Sequence, residues 1–349
     1  MKTTAKVLLV LLGLLLLLVA GGAWYAWNEM QPLPKQEQAV RIDIETGTSI
    51  PTIADRLESN GIIKNALLFK GYLRYKNEGS KFQAGSYDFQ PGMTYDEIIL
   101  KLNTGDVVKE PTVRFTIPEG LTIEEIADKL SAEGIVDRDA FLQAAKDTEA
   151  AGELPLGAKL EADTQHPLEG YLFPSTYEMK EGSTAQDIID RLLAETEKRI
   201  TAIPDWEAKM EARGLNVHEL LTIASLIERE VVVDEERSLV AGVIYNRIQD
   251  GMQLQIDATV QYALDKPKER LYYKDLEIDS PYNTYRISGL PPGPIASPST
   301  ASIEAALSPE ETEYLFYVTK KDGSQTHLFA KTYAEHLQNI EKSKQQSGE

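Results

Sequence analysis

Apolar and polar residues alternate along this chain on three scales. From Val7 to Trp27 there is no charge, and Leu8 to Val19 is almost pure leucine and valine. Such a run is long enough to cross a bilayer as a helix. Further on the period shortens. VRIDIETGTSIPTIADRLESNGII (40–63) aligns without a gap with VRFTIPEGLTIEEIADKLSAEGIV (113–136). Each opens with alternating apolar residues, as in Val113, Phe115 and Ile117, the pattern of a strand. A glycine then turns the chain, a Ser or Thr caps a helix, and Ile and Leu four apart give that helix its buried stripe. Gly47, Ser49, Ile53 and Leu57 fit this frame; so do Gly92, Thr94, Ile98 and Leu102, then Gly120, Thr122, Ile126 and Leu130, then Gly182, Thr184, Ile188 and Leu192. Glu97, Glu125 and Asp187 stand where a capping box places its acid. The spacing predicts four short, self-contained strand-turn-helix units, which argues against one large parallel sheet.

The third scale is helical and lies in LLTIASLIEREV (220–231). With Glu228 at the origin of a wheel of about 100° per residue, Val217, Leu221, Ala224 and Val231 fall within about 60° of it. Ser225, His218, Arg229 and Thr222 gather on one flank. Glu228 therefore sits in the apolar arc, near its polar edge. An ionised carboxylate is costly there, so a proton held more tightly than in water is expected, as a general acid requires. A lone glutamate on an apolar face is more often a paired core or rim residue. Glu230, on the far side with Arg229 or Arg237 to pair with, is the rival.

Composition narrows the function classes. The 349 residues leave room for an anchor and two or three folded units. Asp plus Glu number 55 against 36 Lys plus Arg, a formal charge of -19, which argues against nucleic acid or an anionic lipid surface as partner. The absence of cysteine excludes disulfides, cysteine-zinc sites, a lipoprotein cysteine and thiol nucleophiles. Lys2 and Lys6 precede the apolar run, predicting a cytoplasmic N-terminus and an exported body; Trp24, Tyr25 and Trp27 fall at the outer interfacial belt. The small residues Ala20 to Ala23 allow a cleaved signal peptide instead; the continuation of the run into aromatics favours the anchor. Residues 28–39, with two prolines, read as a tether.

In the last third, Leu239 to Ile248 reads as a helix ended by Asp250-Gly251. Asp257, ahead of an apolar-spaced helix from Ala258 to Leu264, reads as its N-cap or as a substrate contact. SPYNTYRISGLPPGPIASPS (280–299) holds five prolines and two glycines. It is a loop with little backbone freedom to lose, either presenting Tyr282, Asn283, Thr284 and Tyr285 to sugar rings and hydroxyls or serving as a structural crossover. Tyr314 to Thr319 and Thr326 to Phe329 flank Lys320-Lys321-Asp322-Gly323, a hairpin, and Thr332 with Glu335 caps a last helix. His327 and His336 lack any metal-ligand spacing, so neither metal nor cofactor is expected. His327 reads as a hydrogen-bonding site residue or a satisfied core histidine.

The strand-turn-helix pattern resembles the LysM-like module of cell-wall proteins. LEGYLFPSTYEM (168–179), IASLIERE, GMQLQIDATVQYAL, SPYNTYRISGLPPGPIASPS and HLFAKTYAEH together resemble the YceG-like family of endolytic murein transglycosylases, over nearly all of residues 40–340. The expected fold is α+β: a cytoplasmic N-terminus (1–6), a transmembrane anchor (7–27), a linker (28–39), a LysM-like module (40–112), a second repeat-containing part (113–200), a catalytic core closed by the hairpin (201–341) and a polar tail (342–349). The resemblance implies cleavage of the bond between N-acetylmuramic acid and N-acetylglucosamine inside nascent glycan strands, without water, leaving 1,6-anhydromuramic ends and terminating elongation. It makes Glu228 the catalytic acid, peptidoglycan strands the substrate, peptidoglycan synthases the partners and the bacterial cell membrane the location. Glu169, Gln255, Asp257, Tyr282, Asn283, Thr284, Tyr285 and His327 are the candidates for holding the sugars. A hydrolytic muramidase pairing Glu228 with Glu169 or Asp257 stays open, as does a non-catalytic wall-binding membrane protein.

Overall fold

The computed structural model describes residues 2–108, 111–147, 154–161, 163–264 and 266–346. The chain divides into two units, Met1–Glu110 and Pro111–Glu349.

In the first unit the apolar run is a helix, α1 (Lys2–Glu29). Its stretch Leu11–Glu29 is long and apolar enough to cross a membrane, and Leu14 to Val19, Trp24, Tyr25 and Trp27 all lie exposed on it. Then follow β1 (Val40–Ile44), α2 (Ile50–Ser59), α3 (Ala66–Lys76), β2 (Gly85–Phe89) and α4 (Tyr95–Thr104). β1 and β2 pair antiparallel, with Val40 opposite Phe89 and Ile44 opposite Gly85. Ile42, Ile44, Tyr87 and Phe89 meet Ile53, Leu57, Ile98 and Leu102 in one core.

The second unit begins with the same plan: β3 (Thr112–Thr116), α5 (Ile123–Ala132), α6 (Arg138–Lys146), β4 (Thr176–Lys180) and α7 (Ala185–Thr201). β3 pairs antiparallel with β4, Thr112 opposite Lys180. All four sequence copies are strand-turn-helix elements, and the capping boxes at Thr94–Glu97, Thr122–Glu125 and Thr184–Asp187 form. The copies are not self-contained, however. A five-residue strand leaves its backbone groups unpaired and buries too little alone, so copies one and two share a sheet, as do copies three and four.

α8 (Trp206–Ala212), α9 (Val217–Glu230), α10 (Arg237–Gln249), α11 (Asp257–Ala263), α12 (Thr300–Leu307), the antiparallel hairpin of β5 (Phe316–Thr319) and β6 (His327–Ala330), and α13 (Tyr333–Gln346) complete the unit. The fold is mixed α+β with small sheets. α10, α11 and α12 pack on α9, which is buried along almost its whole length. Its core is continuous with Phe115 and Tyr177 of the β3–β4 sheet, so the repeat here is part of the helical body. Asp257 is the first residue of α11, not its cap; that place belongs to Ile256, without a side-chain cap bond. The expected polar tail is helical to Gln346, and residues 347–349 lie outside the described residues. The LEGYLFP segment packs closely on the proline loop: Gly170 has φ +78°, and a Cβ there would come within 2.3 Å of the Pro294 Cβ.

Candidate active site

Glu228 occupies the last turn of α9, where the N-terminus of α12 meets it. Ser299 is the N-cap of α12. The Glu228 Oε2 accepts the Ser299 N–H at 2.9 Å, the Ser299 hydroxyl, the Ser302 hydroxyl at 2.8 Å and an Arg237 Nη1–H at 3.2 Å. All four donors fall on one oxygen, and among the described residues no hydrogen bond reaches Oε1. Arg237, at the start of α10, also donates to Ser302 at 2.6 Å and to Asp234 at 2.8 Å. The Arg237 and Glu228 side chains are only 8% and 7% exposed.

This setting differs from the apolar one the wheel predicts. A single helix cannot see Ser299 and Ser302, which arrive from more than seventy residues downstream. They surround the carboxylate with donors at a helix N-terminus, where negative charge is favoured. Arg237 pairs with Glu228 and not with Glu230. Glu230, two residues on, accepts the Tyr317 hydroxyl at 2.8 Å, and burial pushes its carboxyl up to about 7.

The turn of the third repeat closes over the end of α9. Gly120, at φ +74°, would place a Cβ 3.8 Å from the Glu228 Cγ. Its carbonyl accepts an Arg229 Nη1–H at 2.7 Å. Its N–H donates to the Ser297 carbonyl, and the Ser297 N–H donates to that of Leu121, both at 2.9 Å. Glu119 stands on this turn, open to solvent on one side; partial desolvation by the turn pushes its carboxyl up first and the Glu228 charge second, with Arg237 opposing and Asp234 adding. Glu119, Ser299 and Ser302 are absent from the sequence-based candidates. Their signals lie in the turn of the third repeat copy and in the serine that ends the proline loop and caps the next helix.

The other candidates occupy separate places. Glu169 is buried; its carboxyl accepts the Ile123 N–H at the start of α5, at 3.1 and 3.3 Å, and the Tyr262 hydroxyl at 3.3 Å. With Gln165, His166 and Tyr262 it lines a cavity of about 230 Å³. Tyr282 stands nearby, its ring 4.9 Å from that of Tyr262 and its hydroxyl accepting the Gln165 N–H. Asn283 and Thr284 are fully buried. The Asn283 amide donates to the carbonyls of Leu276 and Ile278 and its oxygen accepts the Tyr285 N–H; the Thr284 hydroxyl accepts the Ile256 N–H and pairs with Thr259. These two shape the loop and do not face outward, and Tyr282 is buried as well, which corrects the expectation that the Tyr-Asn-Thr-Tyr run is presented to sugars; of the four only Tyr285 is partly exposed. Gln255, at φ +52°, is exposed beside them. The Tyr285 hydroxyl donates to Asp257 at 2.6 Å, and both line a second cavity with Tyr272 and Tyr273. The His327 Nδ1 lies 2.7 Å from Glu236, whose oxygens also take its N–H at 3.0 Å. His327 thus fastens the residue next to Arg237. Among the described residues no group of three or more His, Asp or Glu is arranged to hold a metal.

Glu169 gives a pH dependence of defined sign. Burial lifts its carboxyl from the ordinary 4.5 to about 8. The folded chain then keeps a proton that the unfolded chain has released, so the contribution is whole below about pH 4.5 and is lost as pH rises through about 8. At about 1.4 kcal/mol per unit, Glu169→Gln is expected to lessen the fall in unfolding free energy across that window by a few kcal/mol, with the Glu230 share remaining. Urea titrations of both proteins at about pH 5 and about pH 8 check this; parallel declines refute it.

The comparisons with known proteins agree in direction. The model of the YceG-like family matches residues 42–342. A Bacillus subtilis protein named endolytic murein transglycosylase is 38% identical over 335 residues, covering 93% of this chain and 91% of that one. A protein of the same name from Streptococcus pneumoniae is 33% identical over 352 residues, 93% of this chain but 63% of the longer relative. The 2.6 Å crystal structure of a yceG-like protein from Listeria monocytogenes superposes with a TM-score of 0.59 at 36% identity, over 87% of this chain and 99% of that one.

Proposed function

The chain belongs to the YceG-like family, and from that premise we propose how it does its work. It cleaves peptidoglycan strands as a lytic transglycosylase. Glu228 is the catalytic carboxylate. With Oε2 held by Ser299, Ser302 and Arg237, Oε1 is the oxygen left to exchange protons with substrate. The bond cut joins N-acetylmuramic acid to N-acetylglucosamine. In its simplest form one carboxyl protonates the leaving oxygen and then takes the proton of the muramoyl 6-hydroxyl as that oxygen closes on C1. The attack is intramolecular, so it carries the large effective concentration of a tethered nucleophile.

Glu169 and Asp257 are engaged with Ile123 and Tyr262, and with Tyr285, which disfavours a two-carboxylate hydrolysis built on either. Around the glycan, Tyr285, Gln255 and Asp257 are the residues proposed to contact sugars, with Tyr282, Asn283, Thr284, Glu169 and His327 holding the walls. The helix over Leu11–Glu29 is read as a single-pass anchor with Lys2 and Lys6 inside and the catalytic unit outside the cell membrane. The first module is read as LysM-like and wall-facing, a reading its doubled strand-turn-helix pattern supports. Peptidoglycan synthases are proposed as partners that supply nascent strands. The observation that carries the reading is the one-sided anchoring of Glu228. Mass spectrometry of digested sacculi tests the chemistry: new ends should be about 18 Da lighter than reducing ends, the mass of the water that hydrolysis would add. Reducing ends alone would show a muramidase.

A further inference from the structure

We propose that the cavity beside Tyr285 takes the stem peptide carried by the glycan, with Arg270 and Lys274 recognising its carboxylates. This rests on the reading of the chain as a peptidoglycan transglycosylase and names the part of the strand that one surface receives. The cavity, of about 490 Å³, has Asp257 and Tyr285 in one wall and Arg270, Tyr272, Tyr273 and Lys274 in the other. Both walls are fastened to the loop at 283–285. The Gln255 and Ile256 N–H groups donate to Thr284, to its carbonyl at 3.1 Å and its hydroxyl at 2.9 Å, and the Tyr285 hydroxyl donates to Asp257 at 2.6 Å. Opposite, Tyr273–Glu277 forms a 3-10 turn. Asp275 accepts the Tyr272 N–H at 2.9 Å, and the Asn283 amide donates to the Leu276 carbonyl at 2.9 Å.

Tyr272 and Tyr273 are 58% and 90% exposed. Large rings left in water on a fastened turn suit contact with a ligand, offering apolar faces and a polar edge. The Arg270 guanidinium lies over the Tyr272 ring, 5.9 Å from its centre, a contact that steadies a long side chain. Charge singles the segment out. The chain carries -19 overall, yet residues 266–274 hold Lys266, Lys268, Arg270 and Lys274 against Glu269. Lys268 is taken by Asp275 at 2.6 Å. Arg270 and Lys274 are exposed, and among the described residues neither has an ion-pair partner. The sugars of a glycan strand are uncharged, so two unpaired cations have nothing to recognise on the sugars themselves. The negative charge of the strand sits on the carboxylates of the peptides hung from the muramoyl lactyl groups. Such a carboxylate accepts charge-assisted hydrogen bonds from a guanidinium or an ammonium. Tyr285 and Asp257, proposed above to contact sugars, line the same cavity, so it leads from the sugars to the cations.

The test gives the full chain, in detergent micelles, uncrosslinked strands freed of phosphate polymers, either bearing their peptides or stripped of them by an amidase. The readout is kcat/KM for new ends on each, expressed as a ratio. Two charge-assisted contacts at an exposed site multiply to roughly fivefold or more, and the wild type should favour peptide-bearing strands by at least that factor. Arg270→Gln combined with Lys274→Gln should bring the ratio to within about twofold of equality, chiefly through KM on the peptide-bearing strands. Arg270→Glu combined with Lys274→Glu should invert the preference. A wild type that cuts both kinds of strand equally well overturns the proposal. So does a double glutamine variant that keeps the wild-type ratio, even if it is slower on both, since a purely structural turn would behave that way. Reducing ends in place of anhydro ends would instead sink the transglycosylase reading and leave the ratio measurable.

Discussion

Glu228→Gln is expected to lower anhydro-end formation by about 10⁴-fold or more while the chain still folds. The amide keeps the shape of the side chain, and its oxygen can accept the Ser299 and Ser302 hydrogen bonds that Oε2 accepts now. What it cannot do is exchange a proton at neutral pH. General acid–base transfer by a placed group is worth about 10²–10⁴-fold, and both proton transfers of the reaction end or begin at this residue in the one-carboxyl scheme. Stability should fall only in part, because Arg237 keeps Asp234 and Ser302. The measurement is the count of anhydro ends released from sacculi, alongside circular dichroism of the variant. Activity within about tenfold of wild type would remove Glu228 from the chemistry.

Much of the scaffold was legible because its signals are local. The glycine turn, the Ser or Thr cap, the acid three residues on and the apolar stripe act within a dozen residues, and Thr94–Glu97, Thr122–Glu125 and Thr184–Asp187 close as written. Strand pairing was not legible, since Val40 meeting Phe89 or Thr112 meeting Lys180 depends on which copies share a sheet. The site divides along the same line. Glu228 stood out by its place on one helix, but its environment is assembled from α10, α12 and a repeat turn, and no periodicity within α9 reports them. The loop at 280–299 misled in a different way. Amides and aromatics in a rigid loop suit a ligand or the loop's own backbone equally well, and Asn283 serves Leu276, Ile278 and Tyr285. His327 is likewise spent on Glu236.

Arg237→Met is the second substitution with a large expected effect, and it separates charge from packing. Arg237 is buried, and its guanidinium bridges Glu228, Ser302 and Asp234. Methionine fills a similar volume without the charge. Glu228 would then keep only the serine donors at the α12 N-terminus, and breaking a buried pair from one side costs about 3–5 kcal/mol. The free oxygen would also lose its alignment, and removing one preorganised charged donor typically lowers kcat by about 10²–10³-fold. The decisive comparison is the same substitution made in Glu228→Gln. A neutral partner needs no guanidinium, so Arg237→Met should cost less there, with a coupling of roughly 1–3 kcal/mol. Trp206 lies in the second unit, whereas Trp24 and Trp27 lie in α1, so its fluorescence in urea follows the unit that holds the pair. A coupling below about 0.5 kcal/mol would mean that Arg237 acts through Asp234 and Ser302 alone. The carboxylate of Glu228 would then owe its orientation to the two serines, and Ser299→Ala, not Arg237→Met, would become the variant that disarms the enzyme without unfolding it.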